Sequence, residues 1–311
     1  MQASWQSPNN TGAAPNFLLF LLLLAIWLLG HPFLGVWGDG ILYAVQALAR
    51  LRPETYGKDL FFLYGSQDDF TVFSPIYAAF IRLLGLDGAM LATLLAGNAL
   101  WLGSSMLLAS RLLRGFPFWF GLVLVIAMPR SYSYGNLSLE YAESYLTPRL
   151  IAEGLTLLSL AMVLRGKWFA SIAILAAALA MHPLMALAGV AFVGLYLAFD
   201  WPKAALAFGA LASVAVLLLG WMGVPPFDRL FATMDAEWFQ LAMARAPYVF
   251  WDGWRYAEWG NHALLAFSLL AAASGTASGS ARRAFLLPLA VGVAALLLFW
   301  HRGFSRRPAG G

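Results

Sequence analysis

The sequence predicts an all-α protein: a polytopic transmembrane helical bundle of about nine spans, with interfacial helices in its first outer loop. Three observations carry this reading. Hydrophobic residues make up 61% of the chain and charged residues 11%, against roughly 45–50% and 25% in ordinary globular domains. Apolar stretches recur through all 311 residues, each near the roughly 17–25 that cross a bilayer as a helix. Basic residues gather in alternate short connections, as expected of a chain that threads a membrane repeatedly.

Residues 1–15 form a polar, uncharged tail without the basic region of a secretory signal, so the apolar run that follows reads as a retained first helix, Asn16–Leu34. The first outer loop, 35–87, holds two short apolar stretches, Ile41–Leu51 and Phe73–Leu86. Each carries an arginine and fits an interfacial helix. The remaining spans are Gly88–Leu113, Phe116–Met128, Pro148–Leu164, Trp168–Met181, Pro183–Phe199, Lys203–Gly223, Ala263–Ser274 and Ala284–Trp300. Residues 16–311 therefore read as one transmembrane domain.

Alternation of these spans brings "RLLRG", "RGK", "DWPK" and "SGSARR" to one side, which the positive-inside rule makes cytoplasmic together with the N-terminus. The C-terminal "HRGFSRRPAGG" then falls outside against the rule, so the expectation is a helix count off by one or a chain lacking further C-terminal helices. Three long outer loops collect most of the acids. The formal charge of +4 is accounted for by the inner loops, and no nucleic-acid partner is expected. The absence of cysteine excludes disulfides and thiolate chemistry. No Walker A, HExxH or GxSxG motif is present, which argues against ATP-driven transport by this chain alone.

Chemistry concentrates on the outer side. Asp39, in "WGDG", directly follows the first helix; it reads as a plain turn residue, or as a general base or cation ligand that the glycines bring close to a substrate. Asp68 and Asp69 are adjacent carboxylates, able to share a divalent cation or simply to sit in water. In "LEYAESYLTPRLIAEG", Thr147 suits an N-cap and Pro148 a first helical turn, so Arg149 stands at a helix start. A cation is disfavoured there and requires an anion, either Glu140, Glu143 or Glu153 within the chain or a bound phosphate. His182, at the turn "MHP", reads as a helix-end partner or a binding residue. The late loop with Trp238, Tyr248, Trp251, Trp254, Tyr256 and Trp259 suits an aromatic belt or a sugar or isoprenoid surface, and Asn9 and Asn136 match the glycosylation acceptor pattern.

An acid directly after the first helix, interfacial helices at Ile41–Leu51 and Phe73–Leu86, and a many-helix body resemble the GT-C superfamily of integral membrane glycosyltransferases. The stretch "ESYLTPRLIAEGLTLLSLAMVLRG" followed by "HPLMAL" is also similar to bacterial multi-pass membrane proteins. The resemblance implies a polyprenyl-phosphate-linked sugar as donor, with Asp39 as catalytic acid of the first outer loop and the donor phosphate near Arg149. Glu143, Asp68, Asp69 and His182 would serve as further substrate-binding residues, a divalent cation would be the cofactor where one is used, and the setting would be a bacterial inner membrane. The competing readings are a transporter or flippase-like carrier and a noncatalytic membrane scaffold. Carriers place ionisable groups near mid-membrane, whereas the charges here crowd one face.

Overall fold

The computed structural model describes residues 13–63, 67–127, 140–224, 227–247, 250, 256–275 and 285–294. Their α-helices are, in chain order, α1 (Ala13–Gly30), α2 (Gly40–Leu51), α3 (Pro53–Tyr56), α4 (Leu60–Leu63), α5 (Phe73–Leu112), α6 (Phe116–Ala127) and α7 (Pro148–Val163). There follow α8 (Trp168–Met181), α9 (Pro183–Asp200), α10 (Pro202–Trp221), α11 (Ala236–Arg245), α12 (Tyr256–Ser274) and α13 (Phe285–Ala294). Two of them, α5 and α10, are long and apolar enough to cross a membrane; the other apolar helices are shorter.

The sequence separates Phe73–Leu86 from the span after it, and the structure resolves how. The helical stretch α5 is interrupted at Gly85, whose φ of 73° and ψ of 171° are open to glycine alone at little cost, so two helices meet there at a corner. The chain divides into two compact units, the described residues up to Val190 and those from Ala191 onward.

In the first unit α5 and α7 lie against each other through glycines. A side chain at Gly97 would run into Leu150, and one at Gly154 would meet Leu100 and the backbone nitrogen of Trp101. The order of these contacts, 97 with 150 and 100–101 with 154, shows that the two helices run parallel. Small residues of this kind let helix backbones approach closely. The α7–α8 hairpin turns back at Gly166, φ 70°, and is tied by the buried Ser159 hydroxyl to the Ser171 carbonyl at 3.0 Å.

Helix α2 has its buried positions at Gly40, Tyr43, Ala44, Gln46 and Ala47, one face of a helix. Its Tyr43, Ala44 and Ala47 pack on Phe73, Tyr77, Ala78 and Ile81 of α5. A second cluster forms where Trp27 of α1, fully buried, donates to Asn98 Oδ1 at 2.7 Å and stacks on Trp101 at 4.9 Å between centroids.

In the second unit, α11 is capped by Asp235, whose carboxylate accepts from Trp238 N at 2.7 Å, and Phe192 packs on Phe285 of α13 at 4.7 Å.

Candidate functional site

The site lies in the first unit, where the segment 31–40 after α1 meets the segment 140–149 that leads into α7. Leu34 N donates to Ser144 O at 3.2 Å. Gly38 has a φ of +54° and rests on the Tyr145 ring, where an added Cβ would stand 3.1 Å from Cζ; at Gly40 it would stand 3.1 Å from the Leu146 carbonyl oxygen. Both glycines of "WGDG" are therefore fixed by close approach to the second segment. Between them Asp39 occupies the N-cap of α2 but makes no side-chain cap hydrogen bond. Its carboxylate turns to Arg149 instead, with Nη2 donating to Oδ2 at 2.7 Å.

Arg149 sits where the sequence puts it, in the first turn of a helix begun by Pro148. Its second partner is Glu143, which accepts from Nη2 at 2.8 Å and from Nε at 3.2 Å on its two oxygens. The guanidinium thus bridges a carboxylate 2% exposed on one side and one 53% exposed on the other. Two-point Arg–carboxylate contact is among the stronger charge-assisted arrangements. Thr147 does not cap α7 with its side chain; its hydroxyl donates to Glu143 Oε2, and the Tyr145 hydroxyl donates to Glu143 Oε1 at 3.3 Å. Burial pushes the Glu143 carboxyl above the usual carboxylate range, while Arg149 and Thr147 draw it back. Burial likewise raises the Tyr145 phenol and pushes Tyr43, on the facing side of α2, up to about 12, so both stay protonated donors at neutral pH.

Of the internal anions the sequence offers to Arg149, the structure selects Glu143 and adds Asp39, 110 residues away. Glu153 has another task. Its Oε2 accepts from Trp101 Nε1 and from Ala142 N, each at 3.1 Å. Ala142 is the described non-glycine residue with a left-handed backbone, φ 47°, a conformation costing roughly 1–3 kcal/mol that the Glu153 bond holds in place. His182 closes α8, accepts from Met185 N on Nδ1 at 3.3 Å, and is held down to about 4 by burial and then by the positive charge of Arg149.

Asp68 is not part of this group. It accepts from Arg50 Nε at 2.9 Å and Nη2 at 2.7 Å, and Arg50 lies in the last turn of α2. Asp39 lies at the other end of the same helix, about 16 Å away at 1.5 Å per residue. The Asp69 side chain, Tyr248, Trp251, Trp254, Asn9 and Asn136 lie outside the described residues. Among the described residues no three His, Asp or Glu side chains are grouped to hold a metal ion.

Three contributors escape a reading of the sequence: Tyr145 and Thr147 as donors to Glu143, and the stacked rings His31, Trp27, Trp101 and Tyr141 behind the site, with successive centroids 3.6, 4.9 and 5.5 Å apart. The spacing of Tyr145 and Thr147, two and four residues after Glu143, is the only sequence signal for the former. The arrangement sets an exposed and a buried carboxylate on one guanidinium, a layout in which an incoming anion can replace the exposed carboxylate and free it to accept a proton. Comparison of the chain with known protein families, characterised proteins and solved structures returned no match.

Proposed function

We propose that the protein is a polytopic membrane glycosyltransferase of the GT-C type, moving a sugar from a polyprenyl-phosphate donor to an acceptor at the outer face of a bacterial inner membrane. The observation that carries this reading is the Asp39–Arg149–Glu143 bridge, which joins the acid after the first helix to the start of α7. The membrane setting draws support from two helices of spanning length and from apolar side chains that face outward, among them Leu29 at 85%, Leu206 at 76% and Phe208 at 74% exposure.

In this mechanism the donor phosphate takes the place of the Asp39 carboxylate on Arg149, and Glu143 keeps the other edge of the guanidinium. Two anions then share one cation as before, so the exchange leaves no buried charge unpaired. Released Asp39 accepts the proton of the acceptor hydroxyl. The acceptor oxygen bonds to the anomeric carbon as the bond from that carbon to the phosphate oxygen breaks, and polyprenyl phosphate leaves with the electron pair.

The test is mass spectrometry of polyprenyl-phosphate sugars and surface glycans in a strain lacking the gene, complemented with the wild-type gene or with Asp39→Asn. Accumulation of a lipid-linked sugar that the wild type clears and Asp39→Asn does not is the expected result. Identical lipid and glycan profiles in all strains would overturn it and leave Arg149 as the centre of a structural ion triad.

A further inference from the structure

At the opposite end of α5 and α7 from Arg149 a second charged feature stands without a function. The register that sets Gly97 beside Leu150 and Leu100 beside Gly154, continued along the parallel helices, brings Arg111 level with Leu164 and Arg165. The two guanidinium groups lie within electrostatic reach of each other. Arg114 and Lys167 follow within three residues of each, and the chain holds no Asp or Glu from Gly88 to Leu139 or from Gly154 to Val190. Cations at helix C-termini and in inner loops are common. Neither tendency accounts for two arginines brought side by side with no acid between them.

Nor is Arg165 occupied in capping its own helix. The last carbonyls of α7 are taken by backbone donors: Met162 O accepts from Arg165 N and Lys167 N at 3.0 Å each, and Val163 O from Gly166 N at 2.8 Å. The Arg165 Nε is buried and has no hydrogen-bond partner among the described residues. A desolvated guanidinium N–H without an acceptor is costly, and most costly beside a like charge. An anion with several acceptor oxygens relieves both penalties at once, which a single water does not.

We propose that Arg111 and Arg165, with Arg114 and Lys167 at the rim, form a binding site for a phosphate group at the shared end of α5 and α7. The ligand chemistry is a phosphate mono- or diester, supplied either by the headgroup of an anionic phospholipid or by a soluble phosphate. Its position at the end of two apolar helices suits a headgroup at a membrane interface. The site stands apart from Asp39 and does not depend on sugar transfer.

The experiment is native mass spectrometry of the full chain released from nanodiscs of equal phosphatidylglycerol and phosphatidylcholine, with melting temperatures measured in detergent with and without inorganic phosphate. For the headgroup, the wild type retains phosphatidylglycerol about tenfold over phosphatidylcholine, and Arg111→Gln/Arg165→Gln loses that preference. For a soluble ligand, inorganic phosphate raises the melting temperature of the wild type and not of the double variant. The charge-preserving Arg111→Lys/Arg165→Lys guards against misfolding, because it keeps the charge while weakening two-point contact. A wild type that shows neither lipid preference nor a phosphate shift overturns the site, and so does a preference unchanged in the glutamine variant.

Discussion

Arg149 donates to Asp39 at 2.7 Å across 110 residues of sequence, joining the segment after α1 to the first turn of α7. The same guanidinium holds Glu143, so one cation serves an exposed and a buried carboxylate that differ in what they can give up. An exposed ion pair is worth about 0–1 kcal/mol, whereas removing one partner of a buried pair costs about 3–5 kcal/mol.

Asp39→Asn is accordingly expected to melt within about 1 kcal/mol of the wild type. Under the proposed mechanism its sugar transfer falls about 10²–10⁴-fold, the usual worth of a general base. Thermal melting in detergent and product formation from a polyprenyl-phosphate sugar measure the two quantities on one preparation.

Glu143→Ala strands a buried guanidinium edge, the Thr147 hydroxyl and the Tyr145 hydroxyl together. Destabilisation of about 3–5 kcal/mol is expected, and chemical denaturation should show it as an earlier midpoint. A loss under 1 kcal/mol would mean that water replaces the carboxylate and that Glu143 is not the buried anchor.

Glu153→Ala leaves the N–H groups of Trp101 and of strained Ala142 without their acceptor, at about 1–3 kcal/mol for each buried donor. Glu153→Gln retains a carbonyl oxygen and should recover most of the loss. Hydrogen exchange at Ala142 reports the same contact directly, with faster exchange expected in the alanine variant.

His182 carries the pH prediction. Its folded value of about 4 lies below the ordinary 6.5, so between these values the unfolded chain binds more protons than the folded one. Stability contributed by neutral His182 is full above pH 6.5 and is lost as pH falls towards 4. Melting of the wild type and of His182→Gln from pH 7 to pH 4 should converge as acid is added; parallel curves would show that His182 does not titrate in this range.

Gly38→Ala combines a Cβ 3.1 Å from the Tyr145 ring with a left-handed backbone at φ +54°. The expected cost is about 1–2 kcal/mol together with a weakened site, since Gly38 adjoins Asp39. Gly35, also left-handed at +69° but with open space around it, is the control: Gly35→Ala should cost the backbone strain alone.

Much of this architecture was legible in the chain itself. Apolar runs and their Pro and Gly punctuation mark where helices begin and end, because these signals act over a few residues. The start of α7 at Pro148 and the helix over Gly40–Leu51 follow from such local rules. The sequence also demands an anion for Arg149, since a guanidinium in the first turn of an apolar helix opposes both the helix dipole and the low dielectric.

Which anion answers that demand was a tertiary decision. Glu153, one helical turn along, is the natural partner by spacing, yet Trp101 and Ala142 claim it once α5 packs on α7. Asp39 is invisible as a partner until the glycines beside it allow its segment to lie against Tyr145 and Leu146. Asp68, read in the sequence as a cation ligand or substrate-binding residue, is carried to the far end of α2 and taken by Arg50. Helix boundaries are set by neighbours in sequence and can be read there; ion-pair partners are set by which backbones can approach, and only the packed structure decides that.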